Sequence, residues 1–205
     1  MQQVKHHWNL VEALLWCITV STTFCGSSVR ADGVDLRAAR ALTSPGLLIY
    51  TGAGVGLPLI EGGKRGKTQS LRTVDALIVS ALVETALKRI VREQRPGSRD
   101  KHSTDYSFPS GHAMAAFTTA TMQSHYHPKQ APLWYTGAVL IAASRVRLRR
   151  HYVHDVIAGA ALGYVIARIE VSHSRGLLLS PFIRSDARDT RANRGRFMLQ
   201  ISKAF

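Results

Sequence analysis

The sequence predicts an all-α fold, a helical bundle in one domain, on three observations. Apolar residues recur at helical spacing in several separate stretches, and Pro and Gly punctuate the chain between them. The length, 205 residues, lies within the range that one hydrophobic core can serve. Only the tail alternates, with Phe197, Leu199 and Ile201 on one side, which fits a short C-terminal β-hairpin.

Taken in order, the first element is a leader. Lys5, His6 and His7 precede a mostly apolar stretch from Leu10 to Phe24, the pattern of a secretory signal peptide, with Glu12 as its one interruption. Cleavage after Val29-Arg30-Ala31 satisfies the small-residue rule, and Cys25-Gly26-Ser27 is a second candidate site. The alternative is an uncleaved membrane anchor, because residues 13–29 carry no charge. Cleavage at Ala31 removes Cys17 and Cys25, so neither disulfides nor cysteine metal sites enter the mechanism. It also removes Lys5, Arg30 and Glu12, which takes the formal charge from +14 to +13.

Residues 41–60 are the one later uncharged run long enough to cross a bilayer. Pro45, Pro58, Gly46, Gly52, Gly54 and Gly56 make it a buried, broken helix instead. Gly62-Gly63-Lys64-Arg65-Gly66-Lys67 reads as a charged loop. A helix follows over 71–91, with apolar positions 71, 74, 77, 78, 82, 83, 87, 90 and 91, closed off by Pro96. Residues 96–108 are polar and glycine-marked, hence a loop. Further helices are predicted from Ser110 to about Ser124, broken at His125 to Pro128, then over about Leu133–Ser144 and Val153–Ile169. Asp75, Glu84 and Lys88 interrupt 71–91, while 130–144 offers 15 uncharged residues and 156–167 offers 12, lengths that suit core helices. An exported helical domain in the envelope compartment is therefore favoured over a polytopic membrane protein. The resulting division is 1–31 as signal peptide or anchor, 32–175 as the functional domain and 176–205 as a basic tail.

Composition narrows the function. There are 27 Lys and Arg against 13 Asp and Glu, for a net charge of +14, while 45% of residues are apolar and 7% aromatic. Disorder is excluded, because it needs low hydrophobicity together with high charge. With 16 Gly and 2 Cys, collagen-like and disulfide-scaffold classes are excluded as well. The charge predicts an anionic partner: nucleic acid, an anionic lipid surface or a phosphate-bearing substrate.

Chemistry gathers in three places. Lys88 and Arg95 lie seven residues apart, two helical turns, and share one face ahead of Pro96. Pro109-Ser110-Gly111-His112 stands at a loop-to-helix junction, where a glycine lets backbone amides approach an anion. Ser144-Arg145 is followed by His151 and, four residues on, Asp155. On one helical turn that carboxylate can accept the imidazole hydrogen bond, fix its tautomer and leave the other nitrogen free to attack.

These residues resemble a known family. Lys88 to Pro96 is similar to the K-x6-R-P block, Pro109 to His112 to the P-S-G-H block, and Ser144 to Asp155 to the S-R-x5-H-x3-D block of the type 2 phosphatidic acid phosphatase (PAP2) superfamily, which includes bacterial acid phosphatases and vanadium haloperoxidases. All eleven fixed positions occur in order across residues 88–155. The resemblance implies a helical bundle of the PAP2/haloperoxidase type and a PAP2-like phosphatase domain over 32–175. It implies that Lys88, Arg95 and Arg145 bind phosphate oxygens, with Ser110 and the amide of Gly111 adding hydrogen bonds. His151 is then the nucleophile forming a phosphohistidine, Asp155 its orienting partner, and His112 the acid that protonates the leaving oxygen and later activates water. Three cations facing a dianion supply the charge stabilisation that phosphoryl transfer needs, so no metal or cofactor is expected. Two histidines holding different protonation states predict a bell-shaped pH profile.

The implied reaction is metal-independent hydrolysis of a phosphate monoester or pyrophosphate bond in a lipid or small exported substrate. Phosphatidate, phosphatidylglycerophosphate, undecaprenyl pyrophosphate, sugar phosphates and nucleotides all present the same terminal phosphoryl group. An enzymatic alternative is a vanadate-dependent haloperoxidase; in the phosphatase reading vanadate is an inhibitor. That alternative ranks lower because the chain is short and lacks segments for a deep cofactor channel. From a different class, Arg145 to Arg150 would serve a nucleic-acid-binding protein, but an export signal and the lack of a recognised binding module argue for no nucleic acid. Arg147, Arg149 and Arg150 are read equally as a solvated basic edge or as groups steering an anion or membrane surface toward His151. His154 points about 100° from Asp155 on a helix and receives no direct role. Glu84, one turn before Lys88, pairs with it. The expected setting is the periplasm or cell envelope, membrane-associated or anchored, with oligomeric state left open.

Overall fold

The computed structural model describes residues 33–96, 98, 104–173 and 176–179. Within them lie six α-helices: α1 (Gly33–Ala41), α2 (Ser44–Glu61), α3 (Gly63–Val91), α4 (Gly111–Tyr126), α5 (Ala131–Arg147) and α6 (Val153–Ser172), with a 3-10 turn at Pro128–Gln130 between α4 and α5. No strand occurs among the described residues. The leader with its cleavage sites, and the tail hairpin at Phe197 to Ile201, lie outside them.

The helices over 71–91, 110–124, 133–144 and 153–169 all form; the first begins eight residues earlier, at Gly63, and the others run two or three residues further at one or both ends. Helix α1 was not anticipated. Two readings are corrected. The charged segment 62–67 is not a loop: only Gly62 lies outside a helix, and Gly63 to Lys67 open α3. Gly62 and Gly63, at φ 92° and 74°, reverse the chain by themselves, which frees Lys64, Arg65 and Lys67 to take the helical conformation they favour.

Residues 44–61 form one continuous helix, not a broken and buried one. Leu48, Ile49 and Ile60 are 71%, 74% and 82% exposed. Gly54 and Pro58 are its buried positions instead, and a Cβ on Gly54 would stand 2.3 Å from Thr119 Cγ2. Pro58 sits inside the helix and cannot donate to the carbonyl of Gly54 four residues earlier. Gln123 Nε2, almost fully buried on α4, donates to that carbonyl at 2.6 Å and so restores the missing bond.

Helix α3 is arranged the same way. Its buried positions are Gly66, Ser70, Thr73, Asp75, Ala76 and Ser80, whereas Leu82, Ile90 and Val91 are exposed. The periodic apolar residues thus line its outer side, and the packed side is small and polar. Ser80 and Thr118 share a buried hydrogen bond of 2.8 Å across α3 and α4. The buried Asp75 accepts from the amides of Leu177, Leu178 and Leu179, holding residues 177–179 against the bundle. Among the described residues no helix is long and apolar enough to cross a membrane.

Helix α4 is the centre of the bundle and packs against α2, α3, α5 and α6. Its Ala113, Ala116, Phe117 and Ala120 join Trp134, Ala138, Val139, Ile141 and Ala142 of α5 in the largest apolar cluster. Against α6 the approach is closer still. A Cβ on Gly159 would lie 2.5 Å from Ser110 O, and one on Gly163 2.3 Å from Met114 O. Backbone meets backbone there, so the N-termini of α4 and α6 come side by side.

Candidate active site

The three sequence blocks meet at that end of the bundle. Lys88 comes from the last turn of α3, Ser110 to His112 from the start of α4, Arg145 from the last turn of α5 and Asp155 from the first turn of α6. Two helical pairings expected from spacing are corrected: α3 ends at Val91 with Arg92 left-handed at φ 53°, so Arg95 reaches the site from the segment beyond the helix, and His151 precedes α6, so it does not share a helical turn with Asp155. The amide of Ser110, the N-cap residue of α4, donates to Asp155 O at 3.1 Å and ties the second block to the third.

His151 is 3% exposed. Its Nδ1 lies 2.9 Å from the carbonyl oxygen of Ser107, which takes the ring proton and leaves Nε2 as the lone-pair nitrogen. Nε2 faces Arg95, whose Nη1 donates to it at 3.2 Å. The direct Asp155 bond expected from the i,i+4 spacing is instead a 3.6 Å approach of Oδ2 to Nδ1. The reason is local: Asp155 Oδ2 accepts the hydroxyl of Ser107 and, at 2.8 Å, the amide of Tyr152. As the third residue of α6, Asp155 thereby caps the helix start and complements its dipole. It reaches His151 chiefly through Ser107.

Lys88 Nζ donates to Tyr106 O at 2.7 Å and stands 3.6 Å from Glu84 Oε1, the expected pair. Burial lowers the Lys88 pKa and raises that of Glu84. The Glu84 carboxylate also rests on Gly111, where a Cβ would come within 2.2 Å of it. Arg95 is held by Asp105, donating from Nε to its carbonyl at 3.1 Å and from Nη2 to its carboxylate at 2.6 Å, and by the carbonyl of Arg150 at 3.0 Å. Arg145 is 8% exposed and its Nε is buried without a hydrogen-bond partner. Burial, reinforced by Arg95 and Arg150, pulls its pKa down to about 10.

Ser110 Oγ and His112 Nε2 are likewise buried without partners. Burial and then Arg145, Arg95 and Lys88 push His112 down to about 4. His151 is also pushed to about 4, by burial and the same three cations against the opposing effect of Asp155. The two histidines are thus alike as the chain stands, both neutral near pH 7. A difference between them needs the negative charge of a substrate.

All eight residues singled out in the sequence lie in this region. Arg147, Arg149 and Arg150 are exposed at its edge, and Arg149 closes α5 at φ 51°. Sequence reasoning missed Ser107 and Asp105. Ser107 is fully buried and bonds both Asp155 and His151. Its only signal was its place just before the Pro109 block in a polar loop.

The model of the PAP2 superfamily matches residues 71–175, just over half of the sequence. The chain belongs to the PAP2 superfamily. Among its relatives, the undecaprenyl-diphosphatase of Sulfolobus acidocaldarius is 31% identical over 118 residues, covering 53% of this chain and 56% of that protein. Phosphatidylglycerophosphatase B of Bacillus subtilis is 30% identical over 128 residues, covering 54% and 63%. A 67-residue stretch is 34% identical to the lipid A 1-phosphatase of Porphyromonas gingivalis, covering 31% of this chain and 15% of that one. The crystal structure of a transmembrane PAP2 type phosphatidylglycerolphosphate phosphatase from Bacillus subtilis aligns at a TM-score of 0.45 and 23% identity, over 78% of this chain and 92% of that one. The chain thus spans less than two thirds of the length of the first two relatives.

Proposed function

We propose that this PAP2 protein is a phosphatase that cleaves a phosphate monoester or pyrophosphate bond through a phosphohistidine on His151. The observation that carries this reading is a set of buried, unpartnered polar atoms, Ser110 Oγ and His112 Nε2 at the N-terminus of α4 and Arg145 Nε in the last turn of α5. Each costs about 1–3 kcal/mol to leave unmade, and one phosphoryl group would satisfy all three. Lys88 and Arg95 add positive charge to the same space. His151 Nε2 would attack phosphorus as the bond to the leaving oxygen breaks, with that oxygen taking a proton from His112. Water would then attack the phosphohistidine, giving its proton to His112 and releasing inorganic phosphate and neutral His151. For His112 to carry the first proton its pKa must rise, and a dianion among three cations supplies that rise.

The substrate class we favour is a phosphorylated or pyrophosphorylated lipid, supported by the names of the relatives. Exposed Leu48, Ile49, Ile60, Ile90 and Leu133 support a setting at a membrane in the cell envelope. Export by the N-terminal leader belongs to the same reading, and N-terminal sequencing of the fractionated protein tests it. The mechanism is tested by His151→Ala, which should abolish p-nitrophenyl phosphate hydrolysis and phosphoenzyme trapping while a chelator leaves wild-type activity intact. Retained turnover in that variant would overturn the nucleophile, and loss of activity with chelator would overturn the metal-free chemistry.

A further inference from the structure

We propose that Glu93, His154 and Asp155 form a site for a divalent transition-metal ion of the Zn2+ class, linked to the active site through Asp155. Glu93 follows α3 directly, and His154 and Asp155 lie in the first turn of α6. Their ligand atoms all fall within 4.8 Å of one another. His154 Nε2 is 2.9 and 3.2 Å from the two Glu93 carboxylate oxygens and 3.2 Å from Asp155 Oδ1. Tetrahedral Zn2+ with bonds of about 2.0–2.2 Å separates its ligands by roughly 3.3–3.6 Å, so a small opening would admit the ion.

An independent observation singles out Asp155. The residue is fully buried, and its Oδ2 is bound by Ser107 and Tyr152, yet Oδ1 accepts no hydrogen bond. A His154–Glu93 ion pair accounts for the imidazole and for Glu93. It leaves Oδ1 facing an imidazole nitrogen and a second carboxylate with nothing donated to it, an arrangement a cation would stabilise. The His154 ring is also held in place, stacked on Tyr152 at 5.3 Å and 8° and on Phe108 at 6.3 Å and 29°. One imidazole nitrogen and two carboxylates suit this class of ion, and the exposed side of His154 leaves a coordination position open. On the phosphatase reading, an ion on Oδ1 would draw charge from the carboxylate that supports Ser107 and His151, and turnover would fall.

The test uses the full chain purified without a polyhistidine tag. Equilibrium dialysis with Zn2+ and the visible absorption of bound Co2+ should report one equivalent in the wild type. Affinity should fall at least about tenfold in both His154→Ala and Glu93→Gln. Circular dichroism verifies that each variant folds, and Glu93→Gln changes no volume. Zn2+ should inhibit p-nitrophenyl phosphate hydrolysis by the wild type and spare both variants. No stoichiometric uptake, or equal affinity in wild type and variants, overturns the site; equal inhibition of all three overturns the link through Asp155. Binding is read without substrate, so its failure and that of the phosphatase reading are separable.

Discussion

Arg145 offers the sharpest separation of binding from stability. Burial chiefly, then Arg95 and Arg150, pulls its pKa down to about 10, a drop on the order of 3 kcal/mol held against the folded state. The residue is 8% exposed, so solvent does little to relieve it. Arg145→Met keeps the length of the side chain and removes the charge. Part of the 3 kcal/mol goes to lost contacts and imperfect packing, leaving an expected gain of about 1–2 kcal/mol. For a chain of this size that raises Tm by roughly 2–8 °C. Hydrolysis should fall about 100- to 1,000-fold, the usual effect of removing one group that stabilises transition-state charge. Thermal unfolding followed by tryptophan fluorescence, repeated across a vanadate titration, measures both. Vanadate should raise the wild-type Tm, since it binds only the folded chain, and leave the variant's nearly unchanged. A variant less stable than wild type would refute the reasoning, because Arg145 would then be a structural prop and not a buried charge kept for binding.

Other outcomes follow from the same geometry. Ser107→Ala removes a donor from the buried Asp155 carboxylate and should cost about 1.5–3 kcal/mol in denaturant unfolding; turnover should fall less than in His151→Ala, because the residue 107 carbonyl still holds Nδ1. His112 and His151 are held near 4 in the fold and titrate near 6.5 when unfolded. The unfolded chain therefore binds more protons between those values, and stability should fall as pH drops from about 6.5 toward 4. A bound anion offsets Lys88, Arg95 and Arg145, so vanadate affinity should rise over the same descent; an affinity that is flat with pH would contradict it. Gln123→Met leaves the Gly54 carbonyl opposite Pro58 unpartnered and should destabilise by about 1–3 kcal/mol, again by denaturant unfolding.

What was legible in the sequence was set by local signals. Ser110 and the His125 to Pro128 break mark helix ends through backbone chemistry, which needs no knowledge of partners, whereas α3 stops at a left-handed Arg92 well before Pro96. The eight candidate site residues were legible through their resemblance to the three PAP2 blocks, and the structure brings them to one end of the bundle. Burial was not legible for α2 and α3. Periodicity finds a helix's stripes, but which stripe faces inward depends on whether the neighbour needs a large side chain or a close backbone. Gly54, Ser80 and Thr118 show the second case: the contact is made by small and polar groups, and the leucines point away. Ser107 escaped for another reason. Its contribution comes from a carbonyl and a hydroxyl in a loop, and no spacing rule relates a loop backbone to a side chain 44 residues later.

The close contact of α4 and α6 explains why so few residues suffice for the site. Gly159 and Gly163 let α6 lie on the backbone of α4 at Ser110 and Met114, which fixes the two helix starts relative to each other without long side chains between them. Ser110 N then reaches Asp155 O, and Asp155 reaches Ser107 and Tyr152. The backbone at His112 is set by that helix contact, and the His151 ring is held by the Ser107 carbonyl at 2.9 Å. On the proposed mechanism, such placement would keep the reacting groups within a narrow tolerance, since misplacement by about 1 Å can cost 100-fold in rate. It leaves variation to parts that do not set the geometry, such as the exposed outer faces of α2 and α3. Specificity for the group carrying the phosphate would then reside in those parts, while the phosphoryl chemistry stays in the α4–α6 frame.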